Sequence, residues 1–251
     1  MTLFGGPNGS GKSTIINYIR ANNLYPDSEE AYHLNADDLE RHLKQKPHCG
    51  LTQCNIRPSR VEWETFIRDS TLSLKICTEK QLTVEELITG FPLVHNGIVI
   101  RPPLEPDSYI AALIIDFIRR ELINTGQSFT FETVMSSADK IDIMRRAKKA
   151  GFLIRLYYVT TRDPDINVVR VESRVQQKGH PVAENKIRSR YIGSLENLAD
   201  ALRLADEAFL FDNSTDGVDG IEVARKIGPE LTVQVEEVPD WYITYVERKF
   251  I

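Results

Sequence analysis

The chain has 251 residues, 41% of them hydrophobic and 27% charged, the composition of an ordinary globular protein able to bury one sizeable core. Its longest apolar runs, such as 111–115, are far too short to cross a membrane, and Met1 opens into Thr2-Leu3-Phe4-Gly5 with no basic leader, so the expected compartment is the cytoplasm. A net charge of −5, from 31 Lys and Arg against 36 Asp and Glu, speaks against a dedicated nucleic-acid binder, and three cysteines (Cys49, Cys54, Cys77) speak against a disulfide framework.

In chain order, Leu3-Phe4 reads as a short strand running into a glycine loop, and Ile15, Ile16 and Ile19 follow at helical spacing. His33 to Ala36 reads as a short extended segment and 37–44 as a polar helix. From about 45 to 107 the pattern loosens, with prolines at 47, 58, 92, 102, 103 and 106 and short helical stretches near 60–66 and 84–88; it predicts an insertion lying over one end of the core. Apolar Ile110, Leu113, Ile114, Phe117 and Ile118 predict a helix over 108–124. Then come a strand at 128–132, a helix at 140–149, a buried strand at 152–159, a long basic helical region at 166–202 and a last core strand at 208–212. A short appendage starts near 231 and ends in a helix at 241–249. Strands alternating with helices of ten or more residues predict a parallel sheet covered on both faces. No periodic repeat interrupts this pattern, so one domain spanning 1–251 is expected.

The most specific motif is Gly6-Pro7-Asn8-Gly9-Ser10-Gly11-Lys12-Ser13, followed by Thr14, which fits G-x-x-x-x-G-K-[ST] at every fixed position. Between a strand and a helix, its N–H groups and the helix N-terminus would cradle phosphates. Lys12, expected to face solvent, would supply a point charge, and the Ser13 hydroxyl a ligand for Mg²⁺. No N-K-x-D run follows to read a guanine base.

Asn35-Ala36-Asp37-Asp38 places acids after the second strand, where an open α/β sheet lines its ligand crevice. Asp37 could take the proton of an attacking hydroxyl, with Asn35 beside it; alternatively Asp37 or Asp38 caps the next helix. Glu132 and Thr133 end an apolar strand, where Glu132 would hold a ligand hydroxyl, a cation or a structural salt bridge. Arg170, Arg174, Lys178, Lys186, Arg188 and Arg190 cluster around a Gly179-His180-Pro181 break. They read as a clamp on phosphate charge or as a solvated basic face. Asn213, after the last core strand, could meet adenine or form a turn. His48, Cys49 and Cys54 lack a fourth ligand at zinc spacing.

These residues, with Phe129 to Ser136 (FTFETVMS), Arg190-Tyr191 and Phe211-Asp212-Asn213-Ser214 in this order, resemble the zeta toxin family of P-loop kinases. The resemblance implies a nucleoside-kinase-like P-loop NTPase fold, a three-layer α/β sandwich with a parallel sheet, a helical lid and an inserted segment. It implies an ATP- and Mg²⁺-dependent transfer of the γ-phosphate to a hydroxyl, in better-known members the 3′-hydroxyl of UDP-N-acetylglucosamine, and admits an antitoxin protein as partner. Asp37 matches the family's base, Glu132 its sugar-binding acid, and the arginines of 170–190 its ATP-side clamp, with Arg174 and Arg190 as the catalytic pair. The chain departs from the family's Glu-x-Thr in having Glu132-Thr133-Val134. Alternatives are a kinase of another sugar, nucleotide or polynucleotide 5′-end, or a nucleotide-binding regulator without catalysis.

Overall fold

In a computed structural model, residues 1–21, 32–95, 97–176, 181–217 and 220–250 are described. In chain order the elements are β1 (Thr2–Gly5), α1 (Lys12–Ala21), β2 (Tyr32–Leu34), α2 (Ala36–Gln45), β3 (His48–Gly50), α3 (Arg60–Asp69), α4 (Thr71–Lys80), α5 (Val84–Gly90), β4 (Leu93–Val94), β5 (Gly97–Val99) and α6 (Ser108–Asn124). They continue as β6 (Phe129–Thr133), α7 (Ala138–Lys149), β7 (Arg155–Thr160), α8 (Pro164–Gln176), α9 (Glu184–Glu196), α10 (Leu198–Leu204), β8 (Glu207–Asp212), β9 (Ile221–Ile227) and β10 (Glu230–Val233). A closing helical segment runs over 240–250 and includes a π-helical turn at Ile243–Glu247. Two compact units divide the chain: residues 1–31 with 130–251, and residues 32–129.

In the first unit the strand order is β10-β9-β8-β7-β1-β6. The pairs β6–β1, β1–β7 and β7–β8 are parallel, as the alternation of strands and helices predicts, but β9 and β10 add antiparallel strands beyond β8. β8 is therefore not the last strand of the sheet. The charges of Glu222, Arg225 and Lys226 break the apolar pattern and hide β9 in the sequence. Arg225 lies over the Phe209 ring, and buried Lys226 donates to the Ala205 carbonyl at 2.5 Å, so both cations are absorbed by the sheet edge.

Alternation along β7 assigns its two faces. Tyr157 and Val159 pack with Phe4 and Phe211 under Ile15, Ile16 and Ile19 of α1, each of these side chains stabilising the fold by about 1.5–3 kcal/mol on burial. Tyr158 points the other way and meets Ser194 of α9 at 3.1 Å. Helices thus cover both faces of the parallel strands, the three-layer arrangement expected. The predicted helical region at 166–202 is three helices. Val168, Val171 and Ile187 form a small core of their own between α8 and α9. Lys178, Gly179 and His180 of the expected hinge lie outside the described residues.

The second unit takes in residues 45–107 together with α2 and α6, which pack together. It is also better ordered than its prolines suggest. Trp63, Phe66, Phe91 and Phe117 form an aromatic cluster with ring centroids 4.8–6.3 Å apart, and Trp63 Nε1 donates to the Phe91 carbonyl at 2.7 Å. Capping boxes at Ser59/Glu62 and Thr83/Glu86 start α3 and α5. A small antiparallel sheet, β3-β5-β4, completes the unit. The helix predicted at 108–124 is α6.

Candidate active site

The first-unit site is the loop 6–11 between β1 and α1. Gly6 and Gly9 have φ of 142° and 74°. A side chain on Gly6 would collide with the Val159 carbonyl, and one on Gly9 would come within 2.5 Å of the Asn167 carbonyl. Only glycine allows the loop to lie this close to β7 and α8. α1 begins immediately, with the Ile15 N–H bonded to the Gly11 carbonyl at 3.2 Å. Its first turn carries no acidic residue, and the Ser13 and Thr14 side chains are exposed. The positive end of the helix is thus left for an anion.

Lys12 is half-buried rather than solvent-facing: its Nζ donates to the carbonyls of Gly6 at 2.7 Å and Pro7 at 2.9 Å. An ammonium beside two carbonyl oxygens satisfies its donors on the loop itself and sits where phosphate oxygens would compete for it. The Ser10 hydroxyl is fully buried with no hydrogen-bond partner among the described residues.

Around the loop the structure gathers Asn8, Ser10, Gly11, Arg190 and Asn213. Arg190 Nη1 lies 3.4 Å from Asn8 Oδ1, at the outer limit of a hydrogen bond. Asn213 Nδ2 donates to the Ser10 carbonyl at 2.9 Å, and the Asn213 carbonyl accepts from Arg170 Nη1 at 2.7 Å. Arg170 also pairs with Asp216. Arg188 bonds Asp165 at 2.6 Å and Glu184 at 2.8 Å, so acids of the same helical pair already engage it. Arg174 is exposed on α8. The basic cluster therefore divides into arginines held by carboxylates (Arg170, Arg188) and one at the loop (Arg190).

One contributor, Asn167, was not singled out by sequence, and Tyr191 only as part of the Arg190-Tyr191 match. Asn167 of α8 is fully buried and donates from Nδ2 to the Asn8 carbonyl at 2.6 Å, while its Oδ1 accepts the Thr161 hydroxyl. Tyr191 donates to the Thr161 carbonyl at 2.6 Å, and burial pushes its phenol well above the ordinary value, keeping it a neutral donor. The available signal was Asn167 itself, an amide set beside Ile166, Val168 and Val169 in a helix that buries its apolar face.

At the end of β6, Glu132 pairs in register with Phe4 and Thr133 with Gly5, placing both at the strand end from which the phosphate loop departs. Thr133 is buried, and its Oγ1 accepts the N–H of Met135, whose φ is 57°. In the second unit, Asn35 is the N-cap of α2: its Oδ1 accepts the N–H groups of Asp37 at 2.9 Å and Asp38 at 3.3 Å. Capping therefore belongs to Asn35. Asp38 pairs with Arg41, and the Asp37 side chain is exposed.

A sequence model of the zeta toxin family matches residues 111–229. A Haemophilus influenzae protein described as uncharacterized is 35% identical over 63 residues, which cover 25% of this chain and 45% of that one. Among solved structures, AvrRxo1-ORF1:-ORF2 with ATP is similar over 99% of this chain and 63% of that chain, with a TM-score of 0.51 and 14% identity. The same complex with sulphate ions is similar over 97% and 63%, with a TM-score of 0.52 and 14% identity. The chain thus spans less than two thirds of the length of these relatives. It shares the fold of these structures, and its residues 111–229 match the sequence model of the zeta toxin family.

Proposed function

We propose that the protein is an ATP-dependent kinase that transfers the γ-phosphate to a hydroxyl of a small molecule, with UDP-N-acetylglucosamine as the acceptor to test first. The observation that carries this reading is the loop 6–13: three close-packed glycines, a lysine held at its mouth and an acid-free helix N-terminus with two exposed hydroxyls. Those features suit a triphosphate, and a fold relative is described with ATP.

In this reading the loop N–H groups and Lys12 bind the β- and γ-phosphates. Ser13 holds Mg²⁺, with Thr14 next to it; the ion, when bound, neutralises charge on those phosphates. Arg190 stands at Asn8 and meets the charge that spreads over the γ-phosphoryl group during transfer, with Arg174 as the second cation of the lid. Asp37 takes the proton of the acceptor hydroxyl, and Asn35, Glu132 and Thr133 are the acceptor-binding set that the family resemblance supplies. An antitoxin protein as partner is part of the same proposal.

The test incubates the protein with ATP, Mg²⁺ and a metabolite extract and identifies by mass spectrometry what gains a phosphate, followed by titration with UDP-N-acetylglucosamine. A phosphorylated hydroxyl compound that disappears in Lys12→Ala is the expected result. No phosphorylated product with any fraction refutes the kinase; product from the extract but none from UDP-N-acetylglucosamine refutes only that acceptor.

A further inference from the structure

Asn213 follows β8 and is 7% exposed. Its main-chain N–H and carbonyl and its side-chain amide nitrogen are engaged inside the first unit. Its N–H donates to the Thr160 carbonyl at the end of β7 at 2.8 Å, its Nδ2 to the Ser10 carbonyl at 2.9 Å, and its carbonyl accepts from Arg170 at 2.7 Å. Arg170 in turn reaches Asp216 through Nε at 3.1 Å and Nη2 at 2.5 Å. The same amide nitrogen fills the space that a side chain on Gly11 would need, and Gly11 has φ 89°. Asn213 thus stands behind the phosphate loop, buried against its backbone, with its donor committed there.

We infer that Asn213 is a positioning residue: it holds the phosphate loop at Ser10 and Gly11, and Arg170 with Asp216 fixes Asn213 in turn, so that helix α8 and the loop are set as one piece. The functional consequence rests on the nucleotide reading above, whereas the mechanical one does not. The reasoning is one of satisfaction. Ser10 is fully buried, so its carbonyl has little water to turn to if the amide is withdrawn, and a buried acceptor left unmade costs more than the bond contributed. Asp216 is 88% exposed, so its ion pair alone contributes little; Arg170 acts chiefly through the Asn213 carbonyl. This assignment is the alternative to the adenine contact that the position after β8 suggested.

The test is Asn213→Asp, which keeps the volume but cannot donate to the Ser10 carbonyl, alongside Asn213→Ala. Two readouts are taken on the whole chain: amide hydrogen exchange without nucleotide, and the dissociation constants of Mg-ATP and of Mg-tripolyphosphate, which has no base. Exchange of the Ser10 and Ile15 N–H groups, which bond the Pro7 and Gly11 carbonyls, is expected to quicken about tenfold in both variants while 155–160 and 207–212 stay at the wild-type rate, and both ligands are expected to weaken by the same factor of about ten. Loop exchange at the wild-type rate overturns the inference. So does weakened ATP with unaltered tripolyphosphate, which returns Asn213 to the base, and so does acceleration spread equally over β7 and β8, which makes its role general stability. If the wild-type chain binds neither ligand, the nucleotide reading fails and the exchange result still decides the positioning role.

Discussion

Replacing Asp37 by Asn is expected to abolish phosphotransfer while leaving the protein as stable as before, and Asn35→Ala is expected to do the reverse to stability. Asn35 Oδ1 makes both cap bonds of α2, at 2.9 and 3.3 Å, so removing it costs about 1 kcal/mol. Asp37 occupies the second position of the helix with an exposed side chain. Its charge there adds only the field of the helix terminus, a few tenths of a kcal/mol at a solvated site. For a chain of 251 residues, about 1 kcal/mol corresponds to roughly 2–4 °C in melting temperature. Asn35→Ala should therefore melt a few degrees lower, and Asp37→Asn within about 1 °C of wild type.

Loss of a general base lowers turnover by about 10²–10⁴-fold, an effect far outside anything a stability change of that size would produce. The measurements are scanning calorimetry on the three proteins and phosphate transfer from ATP to the acceptor found in the extract. Wild-type turnover in Asp37→Asn would refute the base. A melting shift in Asp37→Asn as large as that of Asn35→Ala would refute the division of labour at this helix end.

Lys12→Ala should remove phosphotransfer and raise the dissociation constant for ATP while the melting temperature moves by only a few degrees, because Nζ bonds the loop carbonyls of Gly6 and Pro7; isothermal titration with ATP checks it. Arg190→Ala and Arg174→Ala should each lower kcat by about 10³ or more. Arg188→Ala, whose guanidinium is exposed and already paired with Asp165 and Glu184, should change it only a few-fold, and steady-state kinetics on the three variants distinguish clamp from solvated face. Burial, with Cys54 as a smaller contribution, pushes the Cys49 thiol up to about 12. The folded protein then prefers the neutral thiol, so stability is unaffected below the ordinary value near 9 and falls as pH rises from there towards 12. Cys49→Ala should flatten that alkaline decline in urea midpoints measured from pH 8 to 11.

How much of this was legible in the sequence depended on whether a residue's role is local. The phosphate loop was readable because its glycines and lysine act within one stretch of eight residues, and α1 and α6 because Ile15, Ile16 and Ile19, and Ile110, Leu113, Ile114, Phe117 and Ile118, repeat with the helix period. α4 escaped because Leu72, Leu74 and Ile76 alternate as they would in a strand, while only Ser73, Ile76 and Cys77 are buried. The prolines of 45–107 suggested looseness because nothing in the chain order reveals that Trp63, Phe66, Phe91 and Phe117 meet.

The same distinction explains the site. A charge run such as that of 170–190 shows how many cations are present and not which are already paired, and here Asp216 and Asp165 from outside the run and Glu184 from within it decide the matter. Asn213 was readable as a strand-end residue, yet its partners lie 203 positions away at Ser10 and 43 away at Arg170. Asn167 lies 159 positions from Asn8. Two buried amides from α8 and from the end of β8 thus take up carbonyls of a loop whose own residues cannot satisfy them. A loop that must present its N–H groups to a phosphate turns its carbonyls the other way, and something behind it has to accept that cost. The long-range asparagines are therefore the counterpart of the local motif: Gly9 and Gly11 let the loop approach, and Asn167 and Asn213 are what it approaches.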